Sequence, residues 1–569
     1  MRARRRPRSK VIPARAPETP GGAGAGLAGA ATWLWLAALF VGLALVVYRP
    51  ALQGPFLSDD LHYVANNAYV HELTLENVAV ILDPSGPTTL AIVNYSPVQL
   101  LVHTLAWEAF GSETRGHHVV NVVLHAVASV LLAALLASCG VPQLAAMLAG
   151  GLFLLHPANV EAVAWVSQLK TTLSLVLSLA ALLAWRRRAA LGSLLFTLAL
   201  LAKATAAVAL PVALLLDWTR RERVRWGWLG VWTLLFAAYA VAEFSTHQRS
   251  GAAEAVLYDS PFLLVRTMAA LAGRYLVMAA TGFGVSAFHE PEPVRSWLEP
   301  WWIFSLLALA LLGWRVWVVA RRREPELAWW AWALVSFAPV SQLFPFLYPM
   351  ADRYLYFILP GLMGGALFAG REALCRALPA PTLRRRAERG LLVAALVVAA
   401  LFGFRSYERA GLWRSNARLL ADAAEHYPEG KAGLIQTARR AALLGDAAGA
   451  VSALRRANER GYNRFEQVAL DPGWSSVRDA PAFQELVREM AGQWIERIRA
   501  KAVITQPERR MLARAHIARA EIEAAAEELR RAVELGGPYT EEIRSELRSV
   551  ESALRAGHPE RIRLVPQSS

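Results

Sequence analysis

Two adjacent carboxylates lie next to an apolar region of the chain. Asp59 and Asp60 occur in FLSDDLHYVANN, shortly after the apolar run that ends at Tyr48. A carboxylate at such a place can act as a general base or hold a metal ion. The alternative is a solvated loop, or a helix N-terminus capped by Ser58 or Asp59.

Three further segments contain side chains that suit a charged substrate. In HPANVEAVAW, His156 follows an apolar run and Glu161 lies about one turn later. In FPFLYPMADRYLY, Arg353 lies among aromatic residues, and Lys203 interrupts the apolar run LAKATAAVAL. Arginine and lysine can neutralise a phosphate. The alternatives are an interfacial histidine, a capping glutamate, and an arginine that anchors to lipid headgroups or pairs with Asp352.

The segments that would position these side chains are apolar. Of the 569 residues, 55% are hydrophobic and 18% charged, and the mean hydropathy is +0.31. This balance excludes a soluble enzyme and predicts an integral membrane protein. The net charge of +15 comes from short clusters between apolar runs, which argues against a nucleic-acid partner. The two cysteines, Cys139 and Cys375, form no disulfide framework or zinc motif.

The arginine clusters predict how the chain crosses the membrane. A basic cytoplasmic tail at 1–30 precedes the apolar run 31–48, which lacks a small-residue cleavage site and is typical of an uncleaved signal anchor. The positive-inside rule keeps this tail and the clusters at 186–188, 220–225, 321–323 and 384–389 in the cytoplasm. Further spans are then predicted at 117–137, 142–156, 170–185, 226–244, 300–320, 327–345, 354–374 and 389–404, with a hairpin or re-entrant pair at 190–217. The stretches 97–110 and 262–281 are predicted to lie along the outer interface, because a span at either would place an arginine cluster outside.

The predicted topology brings the polar side chains together. It has about eleven spans, an odd number, so the C-terminal part lies outside together with the first outer loop, 49–96. The side chains expected on this face are Asp59, Asp60, His156, Glu161 and Arg353, with Lys203 at the tip of the 190–217 hairpin. Carboxylates beside cations suit a reaction whose leaving group is a membrane-embedded phosphate.

The C-terminal part differs in composition from the rest. Residues 412–569 are rich in Ala, Arg, Glu and Leu at helical spacing, without a run long enough to span a membrane. Helix-turn-helix patterns at 441–461 and 511–537 resemble degenerate tetratricopeptide units, although the consensus Trp and Tyr are absent. We therefore predict an all-α protein: a polytopic membrane helix bundle at 31–411, and an extracytoplasmic tetratricopeptide-like helical domain at 412–569.

The order of five motifs resembles a known family. The motifs are the Asp-Asp pair after the first span, NYSPVQLLVHTLAWEAFG with GHHVVNVVLHAV, HPANVEAVAWVSQLKTTLS, LAKATAAVALPVALLLDW and YPMADRYLY. Followed by a helical tail, this order resembles the transmembrane-and-tetratricopeptide-repeat protein O-mannosyltransferases and their bacterial relatives, which belong to the GT-C superfamily of membrane glycosyltransferases. The resemblance covers roughly residues 31–470.

The resemblance implies roles for individual residues. In such families a carboxylate of the first outer loop is the catalytic base, and the donor is a polyprenyl- or dolichyl-phosphate sugar. Asp59 and Asp60 match the acidic pair, His156 and Glu161 match the histidine-proline and glutamate motif, and Arg353 matches the arginine of Glu-Arg-Tyr-Leu-Tyr. The chain departs from the pattern at Ala204, where the family frequently has glutamate after lysine, and at Asp352, where it has glutamate before arginine. These departures bear on donor identity more than on reaction type.

The sequence thus predicts an inverting glycosyltransferase that moves a mannose-like sugar to an acceptor hydroxyl. Asp60 or Asp59 takes the proton of the hydroxyl, whose oxygen attacks the anomeric carbon. Arg353 and Lys203 would neutralise the departing lipid phosphate, with His156 or a divalent metal, Mg or Mn, held by Glu161. No cofactor is certain at this stage.

The acceptor and the compartment stay open. The acceptor could be Ser or Thr of an exported protein, a lipid-linked glycan or a surface polysaccharide, and a repeat-like tail favours protein. The other function classes are a transporter or flippase, which would show repeated halves or broken helices at mid-span, and a scaffold whose tail binds partners. The Arg- and Ala-rich composition favours a bacterial inner membrane, with the site and tail on the periplasmic face.

Overall fold

The computed structural model describes residues 23–249, 258, 260–341, 348–501 and 503–565. Within these residues the chain is all-α, with short 3-10 turns and one π-helical turn and without a strand. Most of the predicted basic tail, residues 1–22, lies outside the described residues.

The helices of the first part are α1 (Ala23–Val47), α2 (Leu75–Leu82), α3 (Pro87–Ile92), α4 (Pro97–Phe110), α5 (Thr114–Ser138), α6 (Gln143–Leu154), α7 (Val160–Ala164), α8 (Leu169–Ala184), α9 (Ala189–Ala202), α10 (Ala209–Thr219), α11 (Trp226–Arg249), α12 (Pro261–Thr281), α13 (Pro300–Arg322), α14 (Glu326–Phe337), α15 (Asp352–Ala377) and α16 (Pro381–Ala410). The helices of the tail are α17 (Asn416–His426), α18 (Lys431–Leu443), α19 (Ala447–Glu459), α20 (Phe465–Leu470), α21 (Pro481–Arg499), α22 (Gln506–Ala518), α23 (Ile522–Leu535) and α24 (Thr540–Arg555).

Several helices identify a multi-pass membrane protein. Seven of the described helical segments are long and apolar enough to cross a membrane: Gly29–Val47, Thr114–Ser138, Val166–Trp185, Trp226–Gln248, Pro261–Thr281, Pro300–Arg322 and Pro381–Arg414. The helices Gln143–Leu154 and Pro157–Ala164, which meet at a 53° bend, make an eighth if they are counted as one span. The prediction of about eleven is larger because it includes α9, α10 and α14, with 14, 11 and 12 residues, and α15, which carries charges at both ends. The three short helices fall below the roughly 20 residues that a bilayer requires.

The bundle has two distinct faces. The face that we call the site face carries the segment 49–96, the bend at Pro157 and the start of α15. The opposite face, called the arginine face, carries the clusters at 186–188, 220–225 and 321–323. There Arg225 donates to the carbonyls of Trp185 and Arg186, and the Arg323 guanidinium lies 4.8 Å from the Trp218 ring centroid.

The position of α12 is not settled by its length. We predicted an interfacial helix, yet Pro261–Thr281 has the length and apolarity of a span. Its neighbours favour the interface. α11 runs from the arginine face to the site face, where Thr246 donates to the Pro84 carbonyl at 2.8 Å, and α13 returns to Trp218 on the arginine face. Near the start of α12, Thr267 accepts the Val294 N–H at 3.0 Å from the segment that leads into α13, and at its end Gly282 lies beside Pro157 of the site face.

The predicted hairpin at 190–217 and the helix pairs of the tail are present. α9 and α10 are joined by a 3-10 turn that starts directly after Lys203. In the tail, α18 and α19 are joined at Gly445 and Asp446, and the Asp446 carboxylate caps α19 by accepting the Gly449 N–H at 2.8 Å. Gly445 has a φ of +73°, a backbone conformation that glycine adopts without strain. The tail has its own buried clusters, separate from the core of the bundle.

Candidate active site

Asp60 is a buried carboxylate whose two oxygens are both occupied. Only 1% of the residue is exposed. Oδ1 accepts the backbone N–H of Ser167 at 2.6 Å, and Oδ2 accepts that of Leu57 at 2.9 Å. Burial raises the pKa of Asp60 to about 7, against the opposing effect of these two donors. Asp60 therefore ties the segment 49–96 to the turn that precedes α8.

We expect Asp60→Asn to destabilise the protein by about 1–3 kcal/mol, the usual effect of leaving a buried donor without a partner. The amide NH₂ group would face one of the two backbone N–H groups that the carboxylate now accepts. Thermal unfolding in detergent measures this, with Asp59→Asn as the matched control. If the thermal unfolding midpoint of Asp60→Asn equalled that of Asp59→Asn, Asp60 would not anchor the segment 49–96.

Asp59, by contrast, has a carboxylate that is largely free. It is half-buried, and in the described part of the chain its only side-chain hydrogen bond is a 3.4 Å contact with the Ser58 hydroxyl. Ser58 has a φ of +53°, so the chain turns sharply just before the pair. Asp59 also lies close enough to Tyr348 for its charge to add to the effect of burial, which raises the pKa of that phenol. The Asp59 carboxylate therefore has oxygens available to a substrate hydroxyl, whereas both Asp60 oxygens accept backbone N–H groups.

The buried Glu161 and the largely buried Arg353 form an ion pair at the start of α15. Glu161 Oε1 contacts the Arg353 guanidinium, and Oε2 accepts the backbone N–H of Arg353 at 2.7 Å. The guanidinium also lies over aromatic rings, at 5.5 Å from Trp165, 5.5 Å from Tyr348 and 5.1 Å from Tyr354. This geometry holds one positive charge in a fixed position beside Tyr348.

Asp352 makes no ion pair with Arg353, although that pairing was one of the alternatives from the sequence. Its Oδ1 lies 2.7 Å from His289 Nε2, and its Oδ2 lies 3.7 Å from Arg409. His289 also contacts the Tyr427 hydroxyl of the tail at 3.0 Å. Asp352 is therefore connected to the tail through His289.

Two lysines lie near the ion pair. Lys203 Nζ donates to the Thr171 hydroxyl at 2.7 Å. Burial, and then the charges of Lys170 and Arg353, lower the pKa of Lys203, while Glu161 opposes them. Lys170 Nζ donates to the Tyr63 hydroxyl at 2.8 Å and lies 4.4 Å from the centroid of that ring. Neither lysine has a carboxylate within 4 Å in the described ranges. Sequence reasoning missed Lys170, although WVSQLKTTLS was among the motifs considered.

His156 makes both of its hydrogen bonds with backbone groups. Nδ1 accepts the Ala158 N–H at 3.2 Å, and Nε2 lies 3.1 Å from the Ala279 carbonyl, to which it therefore donates. Its ring also packs edge-on against Phe402. Because both nitrogens are engaged, His156 holds the bend between α6 and α7 against α12 and has no donor left for a phosphate.

The donor set does not fit a divalent metal. Among the residues that the structure describes, no three His, Cys, Asp or Glu side chains lie close enough together to hold an ion. Glu161, the predicted metal ligand, has both oxygens on Arg353. We therefore assign no step to a metal.

The tail lies against the site face. Trp413 stacks on Trp165 at 5.6 Å between ring centroids, and the Tyr539 hydroxyl lies 2.8 Å from His62 Nδ1, two residues after the acidic pair. Arg464 of the tail acts electrostatically on both His62 and Tyr348. Residues of the tail thus border the same site as the carboxylates and cations.

Part of this chain is similar to two animal proteins. The protein O-mannosyl-transferase Tmtc1 of Drosophila melanogaster is 33% identical over 190 residues, which are 31% of this chain and 22% of that protein. The protein O-mannosyl-transferase F38B6.6 of Caenorhabditis elegans is 26% identical over 213 residues, which are 35% of this chain and 30% of that protein. The chain therefore matches less than a third of the length of either relative. No protein-family profile matches the chain, and no solved structure matches it significantly.

Proposed function

We propose that this chain is a membrane glycosyltransferase that moves a mannose-like sugar from a polyprenyl- or dolichyl-phosphate donor to Ser or Thr of a protein. The observation that carries the proposal is the position of Arg353, Lys203 and Lys170. They lie within electrostatic reach of one another at one end of an apolar helix bundle, and Asp59 and Arg353 both act on Tyr348. This combination of basic groups and apolar surface suits a lipid phosphate. The names of the two relatives support mannose and a protein acceptor.

Asp59 is the general base in this proposal. Its carboxylate takes the proton of the acceptor hydroxyl, and the hydroxyl oxygen forms a bond to the anomeric carbon. The bond between that carbon and the phosphate oxygen breaks at the same time, so a single displacement inverts the anomeric centre. The lipid phosphate leaves with the electron pair of the broken bond.

The cations stabilise the negative charge that develops on the leaving phosphate. Arg353 is fixed by Glu161, so little reorganisation accompanies the reaction. Lys203 and Lys170 keep N–H donors beyond their single hydrogen bonds to Thr171 and Tyr63, and no carboxylate lies within 4 Å of either one among the described residues. Asp60 takes no proton in this scheme but positions the segment that carries Asp59.

We also propose that the site face is the extracytoplasmic face, with membrane domain 31–411 and tail 412–569 as separate units. The arginine clusters on the opposite face support this orientation by the positive-inside rule. The compartment proposed is the periplasmic side of a bacterial inner membrane.

The direct test uses the purified full-length chain in nanodiscs. Radiolabelled polyprenyl-phosphate mannose is added with a Ser/Thr peptide, and polyprenyl-phosphate glucose serves as the parallel donor. We expect label from mannose on the peptide, released by β-elimination. Label that moves only to a lipid-linked glycan or polysaccharide would overturn the protein acceptor, and donor that crosses the bilayer without any transfer would favour a flippase.

A further inference from the structure

A cavity on the arginine face is lined mainly by arginines. It has a volume of about 400 Å³ and is lined by Trp218, Arg221, Glu222, Arg321, Arg322 and Arg323. These residues come from the end of α10 and the loop after it, and from the end of α13, two segments far apart in sequence. The cavity lies at the end of the bundle opposite to the proposed active site.

The charge in this cavity is not balanced by the protein. Glu222, the only acidic residue of the lining, is paired with Arg186, which lies outside it. Arg322 is paired with Glu372 at 3.0 Å. Arg221, Arg321 and Arg323 have no carboxylate within 4 Å among the described residues. Three uncompensated guanidinium groups around one cavity form a site for an anion.

Two of these arginines occupy backbone positions that favour glycine. Arg221 has a φ of +57° and Arg323 a φ of +54°, and each follows the C-terminus of its helix. Glycine is the usual residue at such a helix end because a side chain there is strained. At Arg323 the strained backbone carries a side chain with a defined contact, because its guanidinium packs 4.8 Å from the Trp218 ring centroid. The Arg323 side chain therefore makes a contact that glycine could not make.

A lipid-facing stripe of α13 leads into the cavity. Leu307, Leu311 and Trp314 are 69%, 64% and 58% exposed, and their helical spacing places them on one face. Arg321 lies on the same face of α13, two turns after Trp314. Trp317, next to the stripe, lies 4.5 Å from the Arg321 guanidinium. An amphiphile on this surface would have its chains on the apolar stripe and its charged group among the arginines.

The geometry points to a binding site for an anionic phospholipid of the leaflet at the arginine face. The phosphodiester is held by Arg221, Arg321 and Arg323, and the acyl chains lie along Leu307, Leu311 and Trp314. Arginine binds phosphate through paired N–H donors, and basic pockets between membrane helices recognise lipid headgroups in this way. The site is separate from the proposed donor site, because the two lie on opposite faces.

The test is native mass spectrometry of the full-length chain released from nanodiscs of phosphatidylglycerol mixed with phosphatidylcholine. We expect retained phosphatidylglycerol on the wild-type protein, and at least a fivefold loss of it in the triple variant Arg221→Gln/Arg321→Gln/Arg323→Gln. The matched control is Arg385→Gln/Arg386→Gln/Arg389→Gln. It removes the same number of exposed arginines near the same end of the bundle, away from the cavity.

Comparison of the two triple variants distinguishes a specific lipid site from nonspecific attraction between arginines and anionic lipid. Equal lipid loss in both triple variants, or retained phosphatidylcholine in place of phosphatidylglycerol, would overturn the proposal. Inorganic phosphate at millimolar concentration serves as a third arm. Displacement of phosphatidylglycerol by phosphate alone would show a simple anion site and would overturn the role of the stripe. Leu307→Gln/Leu311→Gln tests that role directly and is expected to lower retention while the arginines remain.

Discussion

Asp59→Asn is expected to lower the rate of sugar transfer by about 10²–10⁴-fold, the usual contribution of a general base. The amide cannot take the proton of the acceptor hydroxyl. The effect on the fold should be small, because the Asp59 side chain makes only one hydrogen bond, a 3.4 Å contact with Ser58, among the described residues. The measurement is the initial rate with polyprenyl-phosphate mannose and a Ser/Thr peptide, together with the melting temperature.

Asp60→Asn provides the matched comparison for this prediction. It should lower the melting temperature and the rate together, since it weakens the anchoring of the segment that carries Asp59. Asp59→Glu should keep part of the rate, because the carboxylate is retained and only its position shifts. If Asp59→Asn transferred sugar at the wild-type rate and only Asp60→Asn lost activity, our assignment would be reversed and Asp60 would be the base.

Arg353→Gln is expected to impair both the fold and the reaction. The variant leaves the Glu161 carboxylate buried and unpaired, which costs about 3–5 kcal/mol when one partner of a buried pair is removed. It also removes a fixed positive charge, and the loss of one such group typically lowers the rate by about 10²–10³-fold. Chemical denaturation and the transfer assay measure the two effects separately.

The double variant Glu161→Gln/Arg353→Gln distinguishes a catalytic from a structural arginine. It should recover most of the stability, because no charge remains buried, and the amide carbonyl introduced at position 161 could still accept the backbone N–H of residue 353. The rate should stay as low as in Arg353→Gln. Recovery of the rate together with the stability would show that Arg353 acts only in folding.

The placement of the helices could largely be predicted from the sequence. Long apolar runs separated by arginine clusters mark where helices begin and end, as for α5, α11, α13 and the hairpin that brings Lys203 to its tip. The same pattern placed Glu161 and Arg353 at one end of the bundle, where they form an ion pair. Their roles in transfer, like that of Lys203, stay predictions.

The division of roles within the site could not be predicted. Nothing in the spacing of Asp59 and Asp60 shows that the backbone of Ser167, more than 100 residues away, occupies an Asp60 oxygen. His156 has the residue type of a phosphate ligand, but its nitrogens bond to Ala158 and to Ala279 of α12. Such bonds depend on tertiary contacts with backbone groups, which have no signature in the residue types.

The orientation of the site face relative to the cytoplasm underlies the whole account, and cysteine accessibility tests it directly. In a variant with Cys139 and Cys375 replaced by serine, single cysteines are introduced at Leu75 on the site face, at Glu541 in the tail, and at Arg386 on the opposite side. An impermeant maleimide is applied to intact spheroplasts and to lysed membranes. We predict labelling at positions 75 and 541 in intact spheroplasts, and at 386 only after lysis. Labelling of 386 in intact spheroplasts with 75 protected until lysis would contradict the account.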